Sequence, residues 1–447
     1  MRSPHPSIPP MLPWPARIAG SARLAAGLAV QARFAFRSPE AVRRAQSRRV
    51  SAMMAHAWRS VPYYRDTMRR LGLTPADFRA VADLERLPVV DRFDLQRDPE
   101  RFRSDTFATG DLLELRSSGG SGKPVTVWHD LGAVIANAAH GERDRSVWAG
   151  PLVPRTGYRE ALLGVPYGSD ASVQRFLRRG VVLPARADIE RRYLSPLEPV
   201  PATIAELNAF RPHVVHAYGS MLDLMMANVA ATGAEFVRPR VVTTSSDELG
   251  AATRTCLERD LGVPVFSTYE AIEAFKIAFQ CERRIGYHLN VDLYPMRIGG
   301  DGEVIVSNLV NRATVLVNYR IGDFGTLSPE PCPCGRGLPL LASLDGRRDD
   351  VFARADGSPV VPMALTIAFS RTPGLWQFQL EEVERLRFVA RIVAGAGCDR
   401  AAAADHAVAT VRRVIGEDAQ VRVAFVDRIE PGPGGKVRRF VTLARGG

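Results

Sequence analysis

The chain has 447 residues, 46% of them apolar, and 59 Lys plus Arg stand against 48 Asp plus Glu, for a net charge of +11. This length suggests two or three domains, and the composition is that of an ordinary globular protein rather than a disordered or fibrous one. A basic chain can bind nucleic acid, but the arginines here are scattered and no aromatic residues are interleaved on a basic face, so we expect no nucleic-acid partner.

The cysteine content and the hydropathy pattern indicate where in the cell the protein is expected. Five cysteines in 447 residues do not make a disulfide scaffold, so we expect a cytoplasmic protein. We expect no transmembrane segment, because the best apolar run, near residues 22–36, is interrupted by Arg23 and Arg33. Two alternatives for that run are a short basic amphipathic helix that touches a membrane and an ordinary surface helix. We favour the surface helix.

The first elements in chain order are a tail and a long helix. Residues 1–16 are rich in proline, and we expect residues 1–40 to be a disordered or helical tail. A helical period begins near Pro39. Its apolar stripe contains Val50, Met53, Met54, Ala57 and Trp58.

The middle of the chain alternates between strand and helix patterns. The segment LLELRSSGGSGKPVTVWHD predicts strand, glycine loop and strand, and LGAVIANAAHGERDRSVWAG predicts a helix after it. Between residues 160 and 270, the runs ALLGVPYG, HVVHAYGS, RVVTTSS and VPVFSTYE predict strands, and TIAELNAF, SMLDLMMANVAATG and GAATRTCLERDLG predict helices. This alternation indicates a layered α/β domain.

The last third of the chain changes pattern twice. The runs VDLYPMRI, GEVIVSNL and TVLVNYRIGDFGTL predict strands between residues 290 and 330, and a ββαβ module follows LDGRRDD. We therefore predict an α/β protein with a large layered α/β domain at 41–346 and a small, mobile α+β domain at 351–447. The linker is placed near residues 346–350.

The loop SSGGSGKP has the composition of a phosphate-binding loop. Its glycines let the backbone approach a ligand and its serines add hydroxyl donors. Lys123 is one of only three lysines in an arginine-rich chain, with Lys276 and Lys436, which indicates a need for a compact ammonium. The loop is not a Walker A motif, because Pro124 follows the lysine. Its predicted phosphate-contacting residues are Ser117, Ser118, Gly119, Gly120, Ser121, Gly122 and Lys123.

Three cysteines and one histidine have the residue types of a zinc site. Cys281 and His288 are seven residues apart, and Cys332 and Cys334 form CPCG some 50 residues later. A Cys₃His set suits tetrahedral Zn²⁺, whereas a C-x-C pair makes a strained disulfide. With all four positions filled by protein, the zinc would be structural. The alternative is that these residues are buried free cysteines and a surface histidine. We expect Cys256 and Cys398 to be core residues.

Five motifs occur in a fixed order: the loop ending in GKP, FSTYEAIEA, NYRIGDFG, LDGRRDD and PGPGGKVRR. In this order they resemble the AMP-forming, adenylate-forming superfamily. The entry segment AHAWRSVPYYRDTM and the lead LERLPVVDRFDL are similar to those of its phenylacetate–CoA ligase and capsule-biosynthesis-type branch. The resemblance runs from about residue 50 to 441. Some members of this branch also carry a structural zinc in the region of the four cysteine and histidine residues.

The resemblance implies roles for individual residues. Ser117 through Lys123 would hold the ATP triphosphate, Tyr269 would pack on adenine, and Glu273 would bind Mg²⁺. Asp323 would hold the ribose hydroxyls and Arg347 would contact ribose or phosphate. Asp349 would be the hinge of the small domain, and Lys436 would be the catalytic lysine on it. Asp247 would lie in a further loop on the nucleotide side.

The resemblance also implies a reaction. A small-molecule carboxylic acid, aromatic in the family's usual case, would be activated with ATP and Mg²⁺ to an acyl adenylate, with coenzyme A as the acyl acceptor. Two alternatives are an adenylating ligase with an amine or hydroxyl acceptor and a non-catalytic nucleotide-binding module. The chain departs from the family pattern at Gly120, Ser121, Glu270 and Ile272. Lys276 belongs to no motif, and we expect it to be a surface residue.

Overall fold

The computed structural model describes residues 9–117, 124–164, 168–182, 189–195, 197–360, 362–372, 374–395, 397–432 and 436–443. These residues form two compact units that interleave along the chain. The first unit contains the described residues of 1–156, 167–188 and 268–343, and the second contains those of 157–166, 189–267 and 344–447. The chain returns to the second unit close to the predicted linker at 346–350. The division into a large domain and a mobile small domain stays a prediction.

The first unit begins with helices that surround an apolar core. They are α1 (Trp14–Phe34), α2 (Pro39–Ser60), α3 (Pro62–Arg70), α4 (Arg92–Arg97), α5 (Leu131–His140), α6 (Glu142–Trp148) and α7 (Ser169–Gly180). The predicted apolar stripe lies on α2, where Val50, Met53, Met54 and Ala57 are buried. Helix α2 starts at Pro39, which has no backbone N–H that would be left unpaired there. The Ser38 side chain accepts a hydrogen bond from the Ala41 N–H.

The strands of the first unit form a hairpin and a mostly antiparallel sheet. The hairpin contains β1 (Leu113–Arg116) and β2 (Thr126–His129), with Arg116 opposite Thr126. The sheet contains the end of β7 (Val265–Ala271), β8 (Phe275–Phe279), β9 (Tyr287–Leu289), β10 (Met296–Ile298), β11 (Glu303–Val306), β12 (Tyr319–Leu327) and the start of β13 (Leu340–Arg347). Its order is β7-β8-β9-β13-β12-β11-β10.

The second unit begins with a parallel α/β layer. It contains β3 (Arg159–Leu163), β4 (Glu190–Leu194), α8 (Val200–Phe210), β5 (Val214–Tyr218), α9 (Gly219–Thr232), β6 (Val241–Ser245) and α10 (Ala251–Thr255). The strand order is β4-β3-β5-β6, with the start of β7 next to β6, and all pairs are parallel. All five residues of β6 are buried, as expected for a strand covered on both faces.

The chain ends in two small sheets and two helices, also in the second unit. The elements are β14 (Phe352–Ala353), β15 (Pro359–Val360), α11 (Pro362–Phe369), β16 (Leu375–Glu384), β17 (Arg387–Ala394), α12 (Arg400–Ile415), β18 (Gln420–Phe425) and β19 (Phe440–Val441), and β14 pairs with β15 in a two-stranded sheet. The four-stranded sheet has the order β18-β17-β16-β19. The predicted ββαβ module corresponds to β16, β17, α12 and β18. The predicted α/β fold class is confirmed.

Two strand predictions were too long. The run VDLYPMRI contains only the short β10, because the N–H groups of Leu293 and Tyr294 both bond to the Asn290 carbonyl at 2.9 Å and form a tight turn. The run TVLVNYRI enters a strand only at Tyr319. Within the described residues, no helix combines the length and apolar character needed to cross a bilayer.

Candidate active site and metal centre

The predicted phosphate loop connects β1 to β2. At its start, the Ser117 N–H donates to the Val125 carbonyl at 2.9 Å, and the Val125 N–H donates to Ser117 Oγ at 2.9 Å. This two-bond closure fixes both ends of the loop to the hairpin. The remaining predicted loop residues, 118–123, lie outside the described residues.

Two predicted nucleotide residues, 54 positions apart in sequence, meet in the first unit. The Tyr269 hydroxyl on β7 donates to Asp323 Oδ2 on β12 at 2.6 Å. Tyr269 is 7% exposed and Asp323 is 8% exposed. A short hydrogen bond from a phenol to a buried carboxylate is charge-assisted and holds both groups in a fixed orientation.

Glu273 lies in the tight turn between β7 and β8. The Tyr319 hydroxyl donates to Glu273 Oε1 at 3.1 Å, and Asn308 Nδ2 donates to the Glu273 carbonyl at 2.8 Å. Burial raises the pKa of Tyr319 well above its usual value, and the Glu273 carboxylate raises it further. Tyr319 therefore stays a neutral hydrogen-bond donor that orients this carboxylate.

Sequence reasoning missed His129, the last residue of β2. Its imidazole is fully buried, lies 4.1 Å from the Phe275 ring between centroids, and has Nε2 2.7 Å from the Ile272 carbonyl oxygen. Burial lowers the pKa of His129 to about 4, so the ring is neutral and Nε2 is the donor. His129 thus fixes the Ile272 carbonyl beside Glu273. The signal available in the sequence was a histidine directly before Asp130, the residue that caps helix α5.

Lys276 on β8 is not the surface residue that the sequence suggested. Its ammonium pairs with Asp144 Oδ2 on α6 at 2.8 Å and lies 3.7 Å from Glu270 Oε1. Burial opposes the charge, but the carboxylates of Asp144 and Glu270 outweigh it and raise the pKa of Lys276. The glutamate at position 270, where the family usually has glycine, is thus part of an ion-pair cluster next to Tyr269.

We expect Lys276→Met to lower the free energy of unfolding by about 3 kcal/mol near neutral pH, because it leaves the Asp144 carboxyl buried without its cation. Burial already raises the pKa of Asp144, and loss of the ammonium raises it further. Between the unfolded and folded pKa values the native state then binds more protons, so its stability falls as pH rises. The urea midpoint should therefore drop more at about pH 8 than at about pH 5.

The matched control for this prediction is the double variant Lys276→Met/Asp144→Asn. It removes the buried carboxyl charge together with the ammonium, so it should recover part of the lost midpoint and lose the pH dependence. Equal midpoints for wild type and Lys276→Met at both pH values would show that the ion pair contributes nothing to stability.

Lys436 and Asp247, two predicted site residues, lie close to each other in the second unit. The Lys436 ammonium lies 5.1 Å from the centroid of the Tyr218 ring, a cation–π geometry. Ser220 Oγ donates to Asp247 Oδ2 at 2.5 Å and accepts from the Val437 N–H at 3.3 Å. Burial raises the pKa of Asp247, and the Lys436 charge counteracts that rise.

Arg439 fixes the segment that carries Lys436. Its guanidinium contacts Glu248 Oε2 at 2.8 Å, the Glu248 carbonyl at 2.7 Å and Asp223 Oδ2 at 3.5 Å. Asp223 is 1% exposed and accepts from the Gly250 N–H at 2.9 Å. Burial raises the pKa of Asp223 to about 6, which leaves the carboxylate ionised at neutral pH to pair with Arg439. Sequence reasoning did not single out either residue.

The predicted hinge segment contacts the C-terminal end of the chain. Arg347, the last residue of β13, is exposed. The Asp349 carbonyl accepts from Thr442 Oγ1 at 2.9 Å, and Asp350 pairs with Arg438 at 3.0 Å. These bonds tie the segment after β13 to residues that directly follow Lys436.

The four predicted zinc ligands come together in the first unit. Their ligand atoms all lie within 4.8 Å of one another, with Cys281 Sγ 3.7 Å from Cys332 Sγ and Cys334 Sγ 3.3 Å from His288 Nε2. Tetrahedral zinc with ordinary bond lengths places two sulfurs about 3.8 Å apart, and sulfur and nitrogen about 3.6 Å apart. The donor set therefore fits zinc in both chemistry and spacing.

The surroundings of this cluster also suit a metal. His288 Nδ1 is 3.4 Å from the Leu338 carbonyl, which favours a proton on Nδ1 and leaves Nε2 as the ligand atom. The Arg283 N–H donates to Cys281 Sγ at 3.4 Å. Gly335 has φ +83°, the left-handed conformation that a tight turn after Cys334 requires.

Comparison with solved structures shows which known proteins share this fold. The chain matches a 2-hydroxyisobutyryl-CoA ligase in the postadenylation state with a TM-score of 0.70 and 17% identity, over 89% of this chain and 88% of that one. It matches an amide bond synthetase from Marinactinospora thermotolerans with a TM-score of 0.51 and 17% identity, over 76% of this chain and 69% of that one. The fold is that of these adenylate-forming ligases.

Comparison of sequences finds relatives that share one name. The chain is 25% identical to a phenylacetate–coenzyme A ligase of Thermus thermophilus, over 70% of this chain and 72% of the relative. It is 24% identical to one of Aromatoleum evansii, over 78% of this chain and 80% of the relative. No protein-family model matches the chain. The predicted resemblance to the phenylacetate–CoA ligase branch is confirmed.

Proposed function

We propose that the protein activates a carboxylic acid with ATP and transfers the acyl group to coenzyme A. In the first step a carboxylate oxygen of the acid bonds to the α-phosphorus of ATP, and the bond from that phosphorus to the pyrophosphate oxygen breaks. In the second step the thiol sulfur bonds to the acyl carbon, the acyl–phosphate bond breaks, AMP leaves and the thiol proton passes to solvent. The proposed acid is a small carboxylic acid of the aryl class.

The observation that carries this proposal is the buried hydrogen bond from Tyr269 to Asp323. It joins the aromatic ring proposed for adenine to the carboxylate proposed for the ribose hydroxyls, so one rigid pair would recognise a whole nucleoside. The relatives in sequence are named phenylacetate–coenzyme A ligases, and a structural neighbour with a TM-score of 0.58 is a CoA ligase in complex with CoA. These names support a carboxylic acid as the substrate and coenzyme A as the acyl acceptor.

The remaining roles follow from charge. Attack on the α-phosphorus brings two anions together and increases the charge on the phosphoryl oxygens, so positive groups stabilise the transition state more than the ground state. We assign this role to Lys436, with Ser117 through Lys123 around the triphosphate and Arg347 and Asp247 beside the nucleotide. Mg²⁺ would be held by Glu273, where it would neutralise phosphate charge.

We further propose that Cys281, His288, Cys332 and Cys334 hold one structural zinc ion. All four ligand positions would be filled by protein, so the ion would have no open position for a substrate. We also infer a cytoplasmic location. Among the described residues, which include all five cysteines, no disulfide is present, in keeping with a reducing compartment, and ATP and coenzyme A are cytoplasmic substrates.

The test of the proposed reaction is ATP–pyrophosphate exchange by the purified protein with Mg²⁺, over a panel of aryl, fatty and amino acids. Exchange that depends on one class of acid would support adenylation and identify the substrate class. Addition of coenzyme A in one arm and of an amine in another would then identify the acceptor. Measurable ATP binding without exchange for any acid would favour the nucleotide-binding module instead.

We expect Tyr269→Phe to weaken ATP binding roughly tenfold, because the variant keeps the ring but removes a charge-assisted hydrogen bond to Asp323. The measurement is the Kd for ATP by calorimetry in the absence of acid. Tyr319→Phe is the matched control, because it removes a hydroxyl from Glu273 rather than from Asp323. It should instead raise the Mg²⁺ concentration needed for exchange. Identical ATP affinity for Tyr269→Phe and wild type would remove the nucleoside role from this pair.

A further inference from the structure

The outward face of helix α1 is apolar over most of its length. Five of the 14 large hydrophobic residues that are exposed in the described part of the chain lie between residues 11 and 36. They are Met11, Trp14, Ile18, Val30 and Phe36, with Trp14 63% and Ile18 60% exposed. Isolated exposed apolar residues are normal, but a concentration of this kind marks a surface for a partner.

Helical geometry joins these residues into one surface. At about 100° per residue, the outward half of α1 includes eight exposed Trp, Ile, Val and Ala residues, and Arg33 is the charged residue inside that arc, with Arg23 at its edge. We call these eight residues the outer face of α1: Trp14, Ile18, Ala19, Ala22, Ala25, Ala26, Ala29 and Val30, all of them exposed. A helix face with this apolar content normally packs against another element.

The opposite face holds α1 firmly to the first unit. Gly20 approaches Gly180 so closely that a Cβ atom at position 20 would lie 2.0 Å from the Gly180 carbonyl oxygen. The Val182 N–H donates to Ser21 Oγ at 2.8 Å, and Arg179 Nε donates to the Pro10 carbonyl at 2.7 Å. Because this side is closely packed, the outer face cannot turn inward to bury itself.

The charges around the outer face favour an anionic occupant. Residues 1–39 contain five arginines and no Asp or Glu. Arg33 and Arg23 are exposed within and at the edge of the outer face, and Arg37 is exposed three residues after the helix ends. A second copy of this chain, docked by the same face about a twofold axis, would bring arginines together with no carboxylate of residues 1–39 to neutralise them. Anionic lipid headgroups would neutralise them, while the apolar side chains and the Trp14 indole enter the interface.

We propose that the outer face of α1 docks the protein on an anionic membrane surface. The helix would lie along the surface rather than cross it, with its arginines at the headgroups. This placement is independent of the proposed reaction. It would hold the enzyme on the membrane without using any residue of the candidate active site.

The experiment is flotation of the full-length protein with vesicles of phosphatidylcholine alone or mixed with phosphatidylglycerol, at low and high salt. We expect binding to the mixed vesicles only, weakened by salt, and at least tenfold weaker for Trp14→Gln/Ile18→Gln. Phe93→Gln is the matched control, since Phe93 is 53% exposed on α4. It should bind like wild type, and circular dichroism checks that the variants are folded.

Two results would overturn the proposal. One is absence of binding to the mixed vesicles by folded wild-type protein. The other is a wild-type dimer that becomes a monomer in Trp14→Gln/Ile18→Gln, together with vesicle binding that this double variant does not change. The outer face would then be a surface for self-association.

Discussion

Replacing Lys436 with alanine is expected to slow acyl-adenylate formation roughly 10²–10³-fold, the usual effect of removing one preorganised group that stabilises transition-state charge. The second step should be largely preserved, because attack of a thiol on the acyl carbon of a supplied acyl adenylate does not build charge on a transferring phosphoryl group. Lys436→Arg should recover only part of the rate, since a planar guanidinium does not replace a compact ammonium.

The neighbourhood of Lys436 adds a second residue to this prediction. Arg439 lies three residues later and binds Glu248 and Asp223, so it fixes the backbone from which the lysine extends. We expect Arg439→Gln to reduce adenylation about tenfold through misplacement of Lys436, with the KM for ATP less affected than kcat. Arg439 is thus a positioning residue rather than a catalytic one.

The measurement separates the two half-reactions. ATP–pyrophosphate exchange reports the first, and thioester formation from a chemically prepared acyl adenylate reports the second. Arg428→Gln is the matched control, because Arg428 forms an exposed ion pair with Glu430 in the same C-terminal region. Equal losses in both half-reactions for Lys436→Ala would contradict the assigned role, and so would an unchanged exchange rate.

The fold class could be predicted from the sequence because local patterns were strong. The buried strands β5 and β6 are short apolar runs, and α9 follows β5 with an apolar helical sequence. The strand prediction for TVLVNYRI failed because the backbone partners there are distant in sequence. Val315 and Val317 resemble strand residues, but their N–H groups bond to the Phe102 carbonyl and the Tyr64 hydroxyl, more than 200 residues away in sequence. Long-range partners of this kind leave no local signal.

In the candidate site, too, the sequence predicted some residues and missed others. Tyr269, Glu273, Asp323 and Lys436 lie in ordered motifs, so a resemblance could single them out. The contacts that hold them in place could not be predicted in this way. Arg439 ends the motif PGPGGKVRR, but its partners Asp223 and Glu248 come from separate segments. The partner of Lys276 is Asp144, 132 residues earlier. A lysine outside every motif was therefore taken for a surface residue, although its charge is satisfied inside the protein.

The second large effect is expected at the proposed zinc site. Removal of the metal, or Cys332→Ala, should lower the free energy of unfolding by about 4 kcal/mol or more, the linkage expected when metal is present at about a thousandfold above its Kd. The reason is local. Cys281 and His288 flank the turn between β8 and β9, whereas Cys332 and Cys334 lie in the segment between β12 and β13. A bound ion would cross-link these two segments.

Metal content by mass spectrometry should give one zinc per chain for the wild-type protein and much less for Cys332→Ala. Hydrogen exchange should increase in residues 281–289 and 329–341, and thermal unfolding should shift downward by a similar amount with a chelator as with the variant. Cys256→Ala is the matched control. Cys256 lies outside the cluster, so this variant should keep the metal. Purified wild-type protein that carries no zinc and binds none when zinc is added would show that the four residues are only a cluster of buried thiols and an imidazole.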